Sequence, residues 1–256
     1  MEINILFPRN KEEADYLIQI ACAGKKSTRS EKSTTQILNE TDWLMECKRK
    51  FIEEKWTLYE ITNCRTMMAN HVIKCSEFDR CCERNMLDVK TQKHFGVLEI
   101  PDMIVDIAGI SRACSHQLVR HRLVTYLQQS QREVRISVDS DDWYVIPEIY
   151  LGTRFETRFR QDMKESAEKY MWYIEQGKQF EEEKRHKIEE DARFVLPNAC
   201  KTNILVKTNL RQWLHIEYMR LDKHAQWEIR KVAEVILEKS KELYPLVFED
   251  TGEFEV

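Results

Sequence analysis

The residues best suited to chemistry lie between Gln117 and Arg135, in the run QLVRHRLVTYLQQSQREVR. It holds Arg120, His121, Arg122, Arg132 and Arg135, together with Gln117, Gln128, Gln129, Ser130 and Gln131. Glu133 is the only acid between Arg112 and Asp139, so these cations have almost no local counter-charge. A guanidinium without a carboxylate suits an anion, and its planar fork matches phosphate through paired hydrogen bonds. A solvated basic face is the competing reading, since charged side chains ordinarily sit at the surface. Composition leaves both open.

A second set lies further along. Arg211 and His215 are four apart and share a face if the segment is helical. Arg220 is nine residues from Arg211, about 180° round at roughly 100° per residue, and points elsewhere. One helix can therefore present Arg211 to one ligand and Arg220 to another. His224 follows the expected helix end at Asp222; a histidine held by backbone is its plainer reading.

The elements that must position these residues read as follows. Val97 to Ile107 is rich in Val and Ile, and its part after Pro101 predicts a strand that Gly109 ends. Ser111 is placed to cap a helix running towards Arg120. Phe155, Phe159, Met163, Ala167, Tyr170, Met171 and Ile174 recur in steps of three and four, an amphipathic helix over 155–177. A very highly charged helix follows over 179–194 and stops before Pro197. Thr202 to Thr208 is strand-like. Asn209, with Gln212 three residues on, predicts the start of a helix reaching Leu221. Ile229, Val232, Ala233, Ile236 and Leu237 stripe the last helix. Residues 38–85 suggest two or three helices, and Gly24 to Thr35 a mobile polar loop.

Composition bounds what these elements can build. The chain has 256 residues, 42% hydrophobic and 33% charged, enough for one core-bearing domain spanning 1–256. A net charge of -4 gives no field for wholesale nucleic-acid binding, while leaving room for a local basic pocket. No run of 18 apolar residues exists to span a membrane, and the start lacks a signal peptide's pattern. Eight irregularly spaced Cys fit free thiols in a reducing, cytoplasmic compartment. His71, Cys75, Cys81 and Cys82 can be drawn as a zinc site, but structural zinc favours tighter pairs, and no metal is expected. The absence of a G-x-G-x-x-G run argues against a separate dinucleotide domain. The expected class is α+β: one mostly helical domain with a small central sheet.

Arg120-His121-Arg122, seven residues, then Ser130 resembles the RHR-x7-S signature of the flavin-dependent thymidylate synthases. His94-x4-Glu99, Ala192-Arg193-Phe194-Val195-Leu196-Pro197, Asn209-Leu210-Arg211 and the run Leu221 to Ile229 resemble further motifs of that family, in family order. The likeness is clearest over 94–248. It implies an enzyme that converts dUMP to dTMP with 5,10-methylenetetrahydrofolate as carbon donor, reduced FAD as hydride donor and NADPH as reductant. Gln117, Arg120, Gln128, Gln129, Ser130, Gln131, Arg132, Arg193 and Arg220 would hold dUMP. Gly96, Arg120, His121, Arg122, Gln128, Asn209, Leu210, Arg211 and His215 would hold FAD. Arg220 would be catalytic, polarising the uracil ring. A homotetramer with shared active sites is implied as well.

Three positions depart from the family pattern. Glu133 stands where Tyr is common, His215 where Asn is common, and Gly96 where Thr or Ser is frequent. The N-terminal third matches poorly. A flavin-dependent hydroxymethylase on a pyrimidine nucleotide and an inactive nucleotide-binding homologue are the alternatives.

Overall fold

A computed structural model describes residues 1–27, 33–37, 95–138 and 140–249. The helices expected over 38–85, the candidate zinc ligands and His94 lie outside the described residues. Strand β1 (Glu2–Phe7) is followed by helix α1 (Lys11–Ser27), β2 (Asp102–Ser111), α2 (Arg112–Leu118) and β3 (Thr125–Gln128). Then come α3 (Arg154–Gly177), α4 (Glu182–Ala192), β4 (Lys201–Asn209), α5 (Leu210–Leu221), α6 (Trp227–Leu243) and the short α7 (Pro245–Phe248). The four strands form one antiparallel sheet in the order β1-β2-β4-β3. The α+β class expected from the sequence is the class observed.

The chain divides into two compact units, each discontinuous in sequence. Unit one comprises Met1–Leu6, Ile104–Lys207 and Arg220–Val235; unit two comprises Phe7–Met103, Thr208–Met219 and Ile236–Val256.

Unit one contains most of the sheet. Alternate residues of the central strands are buried: Val105 and Ile107 on β2, Ile204 and Val206 on β4. This is the period-two pattern of a strand with one face on a core. Cys114 and Leu118 of α2 and Ile229, Val232 and Ala233 of α6 are buried too. Trp143, Tyr144, Met163, Ala167 and Cys200 form a second cluster, with Phe159 and Leu196 against it. The α3 stripe read from the sequence is the buried one, through Met163, Ala167, Tyr170 and Ile174. In unit two the buried residues include Met103, Leu210, Trp213, Ile216 and Phe248. The Trp213 indole N–H donates to the Met103 carbonyl at 3.3 Å.

Three expectations are corrected. β2 continues through Gly109 to Ser111: Gly109 adopts φ +75°, which glycine takes without a Cβ penalty, so the strand bends there and continues. Its N–H donates to Asn203 Oδ1 at 3.0 Å. α1 runs to Ser27, three residues past Gly24, because Lys25 and Lys26 are acceptable helix formers. The charged segment expected to be helical over 179–194 is helical over Glu182–Ala192, then tightens into a 3-10 turn at Arg193–Val195.

Candidate functional site

Helix α2 delivers the first arginines, and its start is fixed from both sides. Ser111 Oγ accepts from the Cys114 N–H at 3.0 Å, the expected N-cap. Glu228, at the start of α6, accepts from the Ser111 N–H at 2.7 Å and from its hydroxyl. Both partners are buried. α2 ends at Leu118, and the chain turns through Leu123, which adopts φ +61°. In this turn the three motif residues separate. Arg120 and Arg122 are exposed, whereas His121 is buried at 9% exposure. The Tyr126 hydroxyl donates to the Leu118 carbonyl at 2.8 Å, with the His121 carbonyl at 3.3 Å.

Arg220, at the end of α5, reaches this turn. Its Nε donates to His121 Nε2 at 2.9 Å, and an Nη donates to the Gln117 carbonyl at 3.1 Å. Neither acceptor is a carboxylate, and no described carboxylate forms an ion pair with Arg220. Partial burial lowers the guanidinium's pKa from its ordinary value. It remains a cation at neutral pH, because arginine stays protonated in proteins.

Strand β3 and the loop after it carry the middle of the set. β3 pairs with β4 in the register Thr125 to Lys207 through Gln128 to Ile204. Gln128 Nε2 donates to Ser115 Oγ at 2.8 Å and approaches Thr202 Oγ1 at 3.3 Å. The Gln129 N–H donates to the Asn203 carbonyl at 2.9 Å. Ser130 Oγ accepts from the Arg132 N–H at 3.2 Å, a local turn that sets the loop. Gln129, Ser130 and Gln131 line a cavity of about 270 Å³, with Arg135, Trp143 and Lys201 among its other walls.

The scarcity of local acids did not leave every arginine unpaired. Arg132 pairs with Glu190 through Nε at 3.0 Å and Nη at 2.6 Å, and Arg135 pairs with Glu189 at 2.8 Å. The acids come from α4, more than fifty residues on. Arg193, in the 3-10 turn after α4, is half-buried and has no ion pair among the described residues. Glu190 is held below its ordinary pKa, chiefly by its hydrogen bond from Arg132, with a smaller share from the positive charge of Arg193.

Arg112 belongs to this cluster, and sequence reasoning missed it. Its pKa is lowered first by burial, and the repulsion of Arg193 works in the same direction. Its Nη donates to the Gln129 carbonyl at 3.4 Å. The sequence held a signal: a cation directly after the N-cap opposes the helix dipole and needs another reason to be there.

In unit two the remaining residues lie on the 3-10 turn Phe95–Glu99, at Asn209 where β4 ends, and on α5. A Cβ at Gly96 would meet nothing within 4 Å. Arg211 forms an ion pair with Glu99. Asn209 Oδ1 caps α5 by accepting from the Gln212 N–H at 2.9 Å, as expected. Leu210 is fully buried, and its N–H donates to the Pro101 carbonyl at 3.0 Å. His215 is exposed, one turn from Arg211. The nine residues expected to hold a nucleotide therefore all fall in unit one, and the residues expected to hold a flavin divide between the units.

Fold and site together define a class: an α+β protein that gathers arginines at a strand-to-loop junction. Residues 20–246 match the family model described as thymidylate synthase complementing protein. The chain belongs to that family. It is 39% identical over 159 residues to a flavin-dependent thymidylate synthase of Geobacter sulfurreducens, covering 62% of this chain and 65% of that one. It is 39% identical over 174 residues to one of Thermococcus kodakarensis, covering 66% and 67%. It is 42% identical over 159 residues to one of Pyrococcus horikoshii, covering 60% and 62%. The chain thus spans about two thirds of the length of these curated relatives. The family match begins at residue 20, well before the segment where motifs are legible by eye.

Proposed function

We propose that the chain is a flavin-dependent thymidylate synthase. It methylates dUMP to dTMP with 5,10-methylenetetrahydrofolate as carbon donor, FAD as bound cofactor and NADPH as reductant. Family membership and the names of the relatives support this reading. The observation that carries it is the half-buried Arg220 guanidinium, oriented by the His121 ring and the Gln117 carbonyl and neutralised by no described carboxylate.

Such a cation is available to charge that grows during a reaction. Carbon 5 of uracil is a weak nucleophile, and negative charge on the O2–N3–O4 system raises its electron density. Arg220, the catalytic residue here, stabilises that charge more than water would because it is pre-oriented and poorly screened. Gln117, Arg120 and the loop Gln128 to Arg132 hold the nucleotide, with Arg193 at its phosphate. Ser130 sits in that loop as a hydrogen-bonding hydroxyl. No thiol is needed at carbon 6: burial pushes both Cys114 and Cys200 up to about 12, far from a thiolate.

Reduced FAD would supply a hydride. Arg120 and Arg122 are exposed cations suited to its phosphates. Arg211 and His215 share a face of α5, and Gly96 leaves open space where the flavin site is placed by resemblance. Asn209 and Leu210 would act largely by fixing the start of α5. His121 and Gln128 complete the set.

The protomer is proposed to work as a homotetramer in the cytoplasm. Leu123, Leu127 and Phe194 expose 85%, 69% and 77% of their surface beside the proposed nucleotide residues, and a symmetric neighbour would cover such side chains. No helix of the described residues is long and apolar enough to cross a membrane.

The test is a turnover assay with dUMP, methylenetetrahydrofolate and NADPH on protein loaded with FAD. Formation of dTMP is expected. A folded sample that takes up no FAD in equilibrium dialysis, or that makes no dTMP when loaded, overturns the proposal.

A further inference from the structure

We infer that His121 is a positioning residue for Arg220, held as a neutral imidazole whose Nε2 fixes the guanidinium without taking away its charge. This rests on the reading of Arg220 as the catalytic cation. Three observations carry it. The Nε to Nε2 distance is 2.9 Å. His121 is buried while Arg120 and Arg122 on either side are exposed, so the motif turns its histidine inward. The backbone of His121 is itself pinned: its N–H donates to the Leu118 carbonyl at 3.2 Å, and its carbonyl lies 3.3 Å from the Tyr126 hydroxyl.

The chemistry fixes the protonation state. A guanidinium has five N–H donors and no acceptor, so the contact requires a lone pair on Nε2. The ring is then neutral, with its proton on Nδ1. A protonated ring would set an N–H against an N–H and one cation against another. Together with the Gln117 carbonyl on Nη, His121 fixes two directions of a planar group and hence the plane. A carboxylate at position 121 would orient Arg220 as well, but it would neutralise the charge that the reaction needs. A neutral acceptor orients without neutralising, and imidazole is long enough to reach from the turn after α2.

The proposal assigns His121 an effect on kcat exerted through Arg220. His121→Leu removes the acceptor; His121→Gln restores a neutral one. Losing one hydrogen bond to a charged group corresponds to about a 10- to 100-fold change. His121→Leu is therefore expected to lower kcat by that factor while dUMP KM changes far less. His121→Gln should keep a kcat well above that of His121→Leu. In an Arg220→Ala background His121→Leu should add almost nothing, because the residue through which it acts is gone. Equal losses in the Leu and Gln variants, or a full additional loss in the Arg220→Ala background, overturn the inference.

A second readout does not depend on turnover. In protein labelled with 15N-histidine, the His121 signals, assigned by their loss in His121→Gln, should show an unprotonated Nε2 and a protonated Nδ1 at pH 7.5. An Nε2-protonated or cationic ring refutes the role even if the protein makes dTMP. Absence of dTMP from wild-type protein with the expected tautomer would overturn the proposed function and leave the contact established.

Discussion

Glu217 is the residue whose replacement has the most calculable consequence. It lies on α5 in unit two with 1% of its surface exposed, and neither carboxylate oxygen has a hydrogen-bond partner among the described residues. Burial raises its pKa from 4.5 to about 9, against a smaller downward pull from Lys241. The folded protein therefore keeps the proton at neutral pH, while the unfolded chain releases it above its ordinary value. Stability contributed at this position is highest below about 4.5 and falls as pH rises, until the folded group itself ionises near 9. Each pH unit inside that window costs the fold about 1.4 kcal/mol. Between pH 5 and pH 7 the loss comes to about 3 kcal/mol, a sizeable part of a domain's net stability. Glu217→Gln cannot titrate. It should match wild type within about 1 kcal/mol at pH 5 and exceed it by about 3 kcal/mol at pH 7. Urea unfolding followed by tryptophan fluorescence, at one fixed protein concentration from pH 5 to pH 8.5, measures the difference. A gap between variant and wild type that stays constant across this range would refute the reasoning, because it would mean that Glu217 is ionised in the fold or already solvated.

Three further outcomes follow from the site. Arg193→Ala should raise the KM for dUMP about 10- to 100-fold with little change in kcat, since a phosphate contact is present in ground and transition states alike. Arg193→Lys should rescue poorly if the contact is a fork, and steady-state kinetics of the two variants decides it. Glu228→Ala should destabilise the protein by about 3 kcal/mol in urea unfolding, because it strips two buried donors of Ser111; Glu228→Gln, which keeps one acceptor, should cost less than half as much. Sedimentation equilibrium should return a mass near four times 30.8 kDa, and full activity in a 30.8 kDa monomer would remove the case for shared sites.

What the sequence made legible was local. Ser111 and Asn209 announced their helices because a cap is a contact across three residues. The α3 stripe was visible for the same reason. β3 was not anticipated: its four residues, Thr125 to Gln128, become a strand only by pairing with β4, some eighty positions away. β1, at the other edge of the sheet, was likewise read only for what it excluded. The counter-charges of Arg132 and Arg135 were invisible for a related reason. A count of nearby acids cannot foresee that α4 brings Glu189 and Glu190 alongside. The inward turn of His121 depends on the left-handed conformation at Leu123 and on the reach of Arg220 from α5, and neither is written in the RHR triplet. The motif groups three residues, and the fold leaves Arg120 and Arg122 exposed while it buries His121.

The central claim is that the cation of Arg220, oriented but not neutralised, activates the uracil ring. Its most direct measurement is the kcat of Arg220→Ala with dUMP, on protein confirmed to be folded and to hold FAD, beside its dUMP affinity. Removal of one pre-oriented donor to developing charge typically costs about 10²–10³ in rate, and only interactions stronger in the transition state raise kcat. The account predicts a loss of that size, with dUMP binding changed much less. A variant that keeps near-normal kcat would contradict it.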